Sequence, residues 1–257
     1  MTKNCVIFFN CHGSEIEKQI TTSYMFNNIY KCSHICLYDY LPSYKYEKRG
    51  DLISHHKKLI QNCDLIILQA IRKSNVNIIH HNYIKSIIKP NCKCILIPHY
   101  TFSGYYYPLN ILDDNNINEN IPKTQLQNYI ETILFDKQEQ IVEHLNNELE
   151  HIKILDKDSD IECYDFIKNN YKKNLLFYSR SYPTSILFHY IAQEILKLLN
   201  IKDIIKHIPT SYSIHSQQPI YPNVKKYLNL QFNIRFNCGA NLLEHLIYFK
   251  NNNNSFI

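Results

Sequence analysis

Asn4-Cys-Val-Ile-Phe-Phe-Asn-Cys-His-Gly-Ser-Glu-Ile-Glu17 is the stretch around which the chain is read. Cys5 to Phe9 is an unbroken apolar run, short enough for a strand buried on both faces. Gly13 permits a tight bend, and Ser14 followed by Glu17 reads as a capping box that opens a helix. Asn10, Cys11 and His12 therefore fall between the C-terminal end of a core strand and a helix N-terminus. Backbone N–H groups and the positive helix end meet at such a place, which favours anions and a lowered thiol pKa. Two readings follow: an ordinary βα loop with a buried cysteine, or an activated thiol beside an imidazole.

Outward from this stretch, strand and helix signals alternate. The first helix is expected from about Ser14 to Tyr30, then a strand over His34–Tyr38 and a turn-rich aromatic loop over Tyr40–Tyr46. Asp51 caps a short helix to about Gln61, and Asp64–Ile71 reads as a buried strand that runs into Arg72 and Lys73. A helix over Val76–Ile88 stops at Pro90, and Cys92–Pro98 is another buried strand, ending in His99. The pattern predicts an α/β protein with a mainly parallel central sheet flanked by helices. Thr101–Pro108 is an aromatic loop, and Gly104 within it marks a backbone that needs room or a positive φ. Near-helical spacing from Thr124 to about Lys153 predicts a helical insertion, which offers a contact for a homo-oligomer. A helix over Asp160–Lys172, a short strand over Leu175–Tyr178 and a strongly amphipathic helix from Pro183 follow. A short helix after Asn223, an apolar run and a last helix near Gly239–Lys250 complete one expected domain over 1–257, with a frayed Asn-rich tail.

Composition sets limits. With 257 residues and 45% hydrophobic content the chain can bury a full core. No apolar stretch approaches the roughly 20 residues that cross a bilayer. The immediate entry into a strand argues against a signal peptide, so a cytoplasmic protein is expected. The net charge of +5 is spread rather than clustered, which does not make a nucleic-acid footprint. It suits a phosphorylated small ligand equally well. The nine cysteines read as free thiols. Cys32-Ser-His-Ile-Cys36 and Cys92-Lys-Cys94 lack the partner ligands of a zinc site, so no metal is expected.

Four polar spots each end a predicted buried strand: Asn10–Gly13, Gln69–Arg72, Pro98–Gly104 and Ser179–Pro183. In open α/β sheets ligands bind at that edge. Arginine is scarce, yet Arg72 and Arg180 both follow such strands, where a guanidinium fork holds phosphate or else makes a structural ion pair. No Gly-x-Gly-x-x-Gly, phosphate-loop, Gly-x-Ser-x-Gly or His-Glu-x-x-His motif occurs.

Taken in order, these pieces resemble the WcbI family of polysaccharide biosynthesis proteins. They are Phe9-Asn10-Cys11-His12-Gly13, Leu68-Gln69-Ala70-Ile71-Arg72, Ile97-Pro98 with Phe102-Ser103-Gly104-Tyr105 and Pro108, and Asp165-Phe166-Ile167. Leu176-Phe177-Tyr178, Ser181-Tyr182-Pro183-Thr184 and Pro219-Ile220-Tyr221-Pro222 continue the match. Two positions depart: the family's Gln after the cysteine is His12 here, and its Asn-His pair is Ser181-Tyr182. The resemblance implies a three-layer fold similar to SGNH-type hydrolases and flavodoxins. It also implies binding of coenzyme A and transfer of an acetyl group to a sugar or nucleotide-sugar acceptor in glycan biosynthesis.

On that footing the expected catalytic residues are Cys11, His12, His99 and Tyr182. His12 or His99 would serve as base, with Cys11 as an acetyl acceptor in the second of two routes. The backbone N–H groups of Cys11 and Gly104, with Asn10 or Gln69, are the candidate oxyanion donors. Expected coenzyme A contacts are Asn10, Gly13, Gln69, Arg72, Lys73, Ser103, Gly104, Tyr105, Arg180 and Ser181. The loop Tyr105–Tyr107 either covers adenine or sugar, or packs as its own core. The alternatives are a carbohydrate esterase that removes an acetyl group with water, and a binding relative without turnover. Tyr182 in place of the family's His keeps the last one open.

Overall fold

The computed structural model describes residues 2–40, 52–71, 79–107, 137–209, 218 and 220–233. In chain order the elements are β1 (Lys3–Phe9), α1 (His12–Ile20), α2 (Tyr24–Ile29), β2 (Tyr30–Cys36), α3 (Ser54–Asn62), β3 (Leu65–Ala70) and α4 (His81–Ile87). They continue with β4 (Lys93–Pro98), α5 (Gln138–Asp156), α6 (Tyr164–Asn170), β5 (Phe177–Ser179), β6 (Tyr182–Pro183), α7 (Ser185–Leu198) and α8 (Pro222–Tyr227). By contact density the chain divides into two compact units. The first takes the described residues of Met1–His99, Ile154–Cys163 and Ser185–Thr210; the second takes those of Tyr100–Lys153, Tyr164–Thr184 and Ser211–Ile257.

The first unit is an α/β layer structure on a wholly parallel sheet, ordered β2-β1-β3-β4. β1 sits inside the sheet, with Ile7 opposite His34 on one side and Ile67 on the other. That position explains its composition: Cys5, Val6, Ile7 and Phe8 are at most 1% exposed, as a strand covered on both faces requires. Val6, Phe8, Ile66, Leu68 and Leu96 form one buried cluster with Ile60 of α3 and Ile84 of α4. α1 packs against β1, β2 and α7, burying Ile16 and Ile20 alongside Leu187, Ile191 and Ile195 of α7. The strand order places β2 and β3 on opposite sides of β1, so the crossovers reverse direction between β1 and β3. Such a switch point opens a crevice at the C-terminal strand ends.

Several boundaries differ from the sequence reading, each for a local reason. The single helix expected from Ser14 to Tyr30 is two helices. The Thr21 and Thr22 hydroxyls turn back onto the carbonyls of Glu17 and Gln19, and Ser23 caps α2 by accepting from the Phe26 N–H. β2 accordingly begins at Tyr30. Pro183 does not start α7: it pairs with Phe177 in the β5–β6 ladder, and the helix begins at Ser185. Of the helical insertion, α5 is present from Gln138, whereas 124–136 lie outside the described residues, as do the last helix and the tail.

The second unit has an aromatic core. Phe102 stacks on Phe177 with ring centroids 5.2 Å apart and meets Tyr105 edge-on at 5.1 Å. Ile141, Leu145, Leu149 and Ile152 of α5 are buried at helical spacing. Gly104 is needed for room: a Cβ there would fall 2.5 Å from the Phe102 ring and 3.0 Å from Leu145. The buried Tyr106 hydroxyl donates to the Phe177 carbonyl at 2.7 Å. Tyr106→Phe removes that bond while keeping the ring, and chemical denaturation should show a loss of about 1–2 kcal/mol.

Candidate functional site

The end of β1 is built by side chains that satisfy its backbone as the sheet gives way to α1. The Asn10 N–H donates to Gln69 Oε1 at 3.0 Å, from the end of β3. Asn10 Oδ1 accepts from the His12 N–H at 3.0 Å, and the Asn10 carbonyl accepts from the Gly13 N–H at 2.9 Å. Asn10 thus takes the part that the capping-box reading gives to Ser14. The Ser14 hydroxyl instead donates back to the Cys11 carbonyl at 2.8 Å, and α1 begins at His12. His34 of β2 closes the other side, its Nε2 lying 3.1 Å from the Asn10 carbonyl and 3.3 Å from that of Phe9. Both partners are acceptors, so Nε2 carries the hydrogen. Gly13 is fixed by the same packing: an added Cβ would meet His34 Nε2 at 2.5 Å and Phe9 Cβ at 2.8 Å.

This corrects the picture of an open anion cradle. The amides of Asn10, His12 and Gly13 are all spent inside the turn, and what the turn presents at intermediate exposure is Cys11. Asn10 and His12 are each 3% exposed, so Asn10 and Gln69 act on the turn as supports. His34 is the side chain of this turn that the sequence reading misses. It lies inside the Cys32–Cys36 cluster, whose spacing invites only the question of a metal. Its pairing with a carbonyl at the end of the neighbouring strand leaves no local mark.

His12 is enclosed by two rings, with His99 at a centroid distance of 5.0 Å and Phe188 of α7 edge-on at 5.5 Å. Burial first, and the neighbouring His99 second, push its pKa down from 6.5 to about 3. His12 is therefore a neutral imidazole at physiological pH. His99 follows Pro98 at the end of β4 and is half-buried. The structure thus brings Asn10, Cys11, His12, Gly13, Gln69 and His99 to the C-terminal ends of β1, β3 and β4, all within the first unit.

The other candidates lie in the second unit, where the Phe102 N–H donates to the Arg180 carbonyl at 2.7 Å and joins the aromatic loop to the β5–β6 turn. The Ser103 N–H donates to Glu148 at 2.6 Å. His144 Nε2 lies 3.0 Å from the Ser103 carbonyl and 3.1 Å from its hydroxyl. The carbonyl can only accept, so this nitrogen carries the hydrogen and cannot serve Ser103 as a base. His144 and Glu148, one turn apart on α5, are loop clamps that no motif announces. Tyr105 is fully buried and its hydroxyl donates to the carbonyls of Tyr171 and Asn174 at 3.0 and 3.2 Å. The aromatic loop is thus its own core at Tyr105 and Tyr106. Arg180 and Ser181 are exposed, and Tyr182 is buried. Arg72 and Lys73 lie outside the described residues. Among the described residues no three His, Cys, Asp or Glu side chains gather as a metal site.

No model of a known protein family matches the chain, and no curated protein matches it. Among solved structures the chain is similar to WcbI, described as a novel polysaccharide biosynthesis enzyme, in a native form without a disulfide bond between coenzyme A and one of its cysteines. The two share a TM-score of 0.73 at 15% identity, over 98% of this chain and 91% of that one. At this identity the likeness establishes a shared fold.

The enclosed His12 has a consequence for stability. Unfolded, it takes a proton near pH 6.5; folded, it stays neutral down to about 3. In that window the unfolded chain binds more protons, so stability rises with pH and is lost as pH falls, at roughly 1.4 kcal/mol per pH unit. Urea titrations between pH 6.5 and 4 should show this loss in the native protein and a shallower one in His12→Gln.

Proposed function

We propose that this protein is a WcbI-like, coenzyme A-dependent acetyltransferase that acts on a sugar or nucleotide-sugar acceptor in glycan biosynthesis. The observation that carries the reading is the position of Cys11. It stands at the switch point of a parallel sheet, on a turn held by Gln69, Asn10 and His34, in a chain that shares its fold with a polysaccharide biosynthesis enzyme described in a form without a disulfide bond between coenzyme A and one of its cysteines. A half-buried thiol on a rigid turn suits a ligand whose reactive end is itself a thiol or thioester.

Acetyl-CoA, when bound, supplies a thioester carbonyl; transfer forms the bond to the acceptor and breaks the C–S bond. The chain's part is positioning and proton handling. His12, neutral and enclosed, or His99 beside it, accepts the acceptor's proton and passes it to the departing thiolate. A base held near pKa 3 retains that proton poorly. This suits an amine acceptor, which attacks as the free base and needs relief of its proton only afterwards. Cys11 orients the thioester in this direct route, since an acetyl group on its sulfur gains little over the thioester already present. For the carrier's phosphates we assign Arg72, Lys73 and Arg180, on their charge and their place after apolar strands in the sequence.

The weak basicity of His12 also favours a second reading, a relative that binds coenzyme A or glycan without turnover. Thermal denaturation with coenzyme A, acetyl-CoA, ADP and NAD separates these. Coenzyme A at about a hundred times its dissociation constant adds roughly 2.7 kcal/mol and should raise Tm by several degrees, with ADP and NAD well below it. Incubation with the disulfide of coenzyme A should leave a lasting coenzyme A adduct on the Cys11 peptide, and Cys11→Ser should carry no such adduct at that peptide. Acetyl transfer to amino sugars then decides between transferase and binding relative. No Tm shift and no adduct would remove the cofactor and bring the esterase activity forward for assay with acetylated sugars.

A further inference from the structure

A second set of thiols lies at the opposite edge of the same sheet. In a parallel sheet every strand is entered from one edge, so the residues that precede β3 and β4 come together there. The Lys93 N–H donates to the Asp64 carbonyl at 2.9 Å, and Lys89 Nζ contacts the Asp64 carboxylate at 2.6 Å. Cys63, which ends α3, and Cys92, which precedes β4, meet across this link with sulfurs 3.4 Å apart. Both are in connections, where the backbone can yield. A disulfide of about 2.05 Å asks the sulfurs to approach by little more than an ångström.

The two thiols are not equivalent. Cys63 is fully buried, with its Sγ 3.0 Å from the Ile60 carbonyl and 3.4 Å from Cys92 Sγ; Cys92 is half-buried. The hydrogen bond to Cys92 and burial push the Cys63 thiol well up. The same hydrogen bond, helped by the Lys89 ammonium, brings Cys92 down. The more accessible sulfur is therefore also the better thiolate.

We propose that Cys63 and Cys92 form a two-electron redox pair. Cys92 takes an oxidant of the peroxide or small-disulfide class, and Cys63 resolves it to an intramolecular disulfide. With peroxide, the Cys92 thiolate attacks one oxygen and expels hydroxide, leaving a sulfenic acid. Cys63 loses its proton, attacks Cys92 Sγ and expels the second oxygen as water. With a small disulfide, Cys92 forms the mixed disulfide and releases one thiolate. Attack by Cys63 on Cys92 Sγ releases the other. Either way two thiols give up two electrons and two protons to the oxidant. The bridge ties the α3–β3 connection to the start of β4 and encloses β3 and α4 in a covalent loop, which constrains the unfolded chain.

The full-length protein, treated with hydrogen peroxide or oxidised glutathione, alkylated and digested without reduction, tests this by peptide mass mapping. The expected product is a Cys63–Cys92 cross-link, about tenfold above any other pair, including Cys5–Cys32 and Cys92–Cys94. It should come with a Tm rise of roughly 5–10 °C that dithiothreitol reverses. Cys92→Ser should lose both signals and Cys11→Ser keep both, which separates this pair from chemistry at Cys11. Recovery of Cys63 and Cys92 as alkylated thiols after other cysteines have oxidised overturns the proposal, and so does Cys92 bridged chiefly elsewhere. The wild-type peptide map distinguishes these outcomes even where a serine variant fails to fold.

Discussion

The Asn10 N–H to Gln69 Oε1 bond is the contact on which the first unit's site depends. A parallel ladder ends abruptly: the last residues of β1 leave the sheet with N–H and C=O groups that β3 no longer meets. Leaving the Asn10 N–H bare in a place 3% exposed costs about 1–3 kcal/mol. Gln69 supplies the missing acceptor from a side chain, one register step beyond the last β1–β3 pair, Phe8 with Leu68. His34 does the same for the carbonyls of Phe9 and Asn10 from the strand on the other flank. The turn is therefore held from both neighbours of β1, and this is possible because β1 lies between β2 and β3. The bracing of the turn that carries Cys11 thus follows from strand order.

Half of this arrangement was legible in the sequence. The strands announced themselves, because a strand covered on both faces must be continuously apolar, and Cys5–Phe9, Leu65–Leu68 and Ile95–Ile97 are. The polar residues at the strand ends were legible for the same reason: Asn10, Gln69 and His99 interrupt apolar runs. What local patterns could not give was pairing at a distance. Asn10 and Gln69 are 59 residues apart, and His34 and Asn10 are 24 apart. Ser14 with Glu17 matches a helix-start pattern, but Asn10 satisfies the His12 N–H first and moves the helix start upstream. Tyr105 suits a ligand cover and a loop core equally well until its hydroxyl is seen to meet two carbonyls across a folded core.

The two ends of the sheet set cysteine in opposite surroundings. At the C-terminal edge Cys11 lies in a turn whose neighbouring amides are engaged and whose next residue, His12, is kept neutral by burial and by His99. At the N-terminal edge Cys92 is paired with a second thiol and a lysine. Thiol reactivity follows the thiolate, and the thiolate follows adjacent positive charge and hydrogen-bond donors. By that rule the proposed oxidation falls on Cys92, which the Cys63 hydrogen bond and then Lys89 bring down, whereas a neutral His12 brings no cation to Cys11. A cysteine so placed gains most from a ligand that brings the reactive carbonyl with it. In the proposed reading this is why the direct route asks less of the chain than an acetylated Cys11, and why the residue after Cys11 matters to that reading as much as the cysteine does.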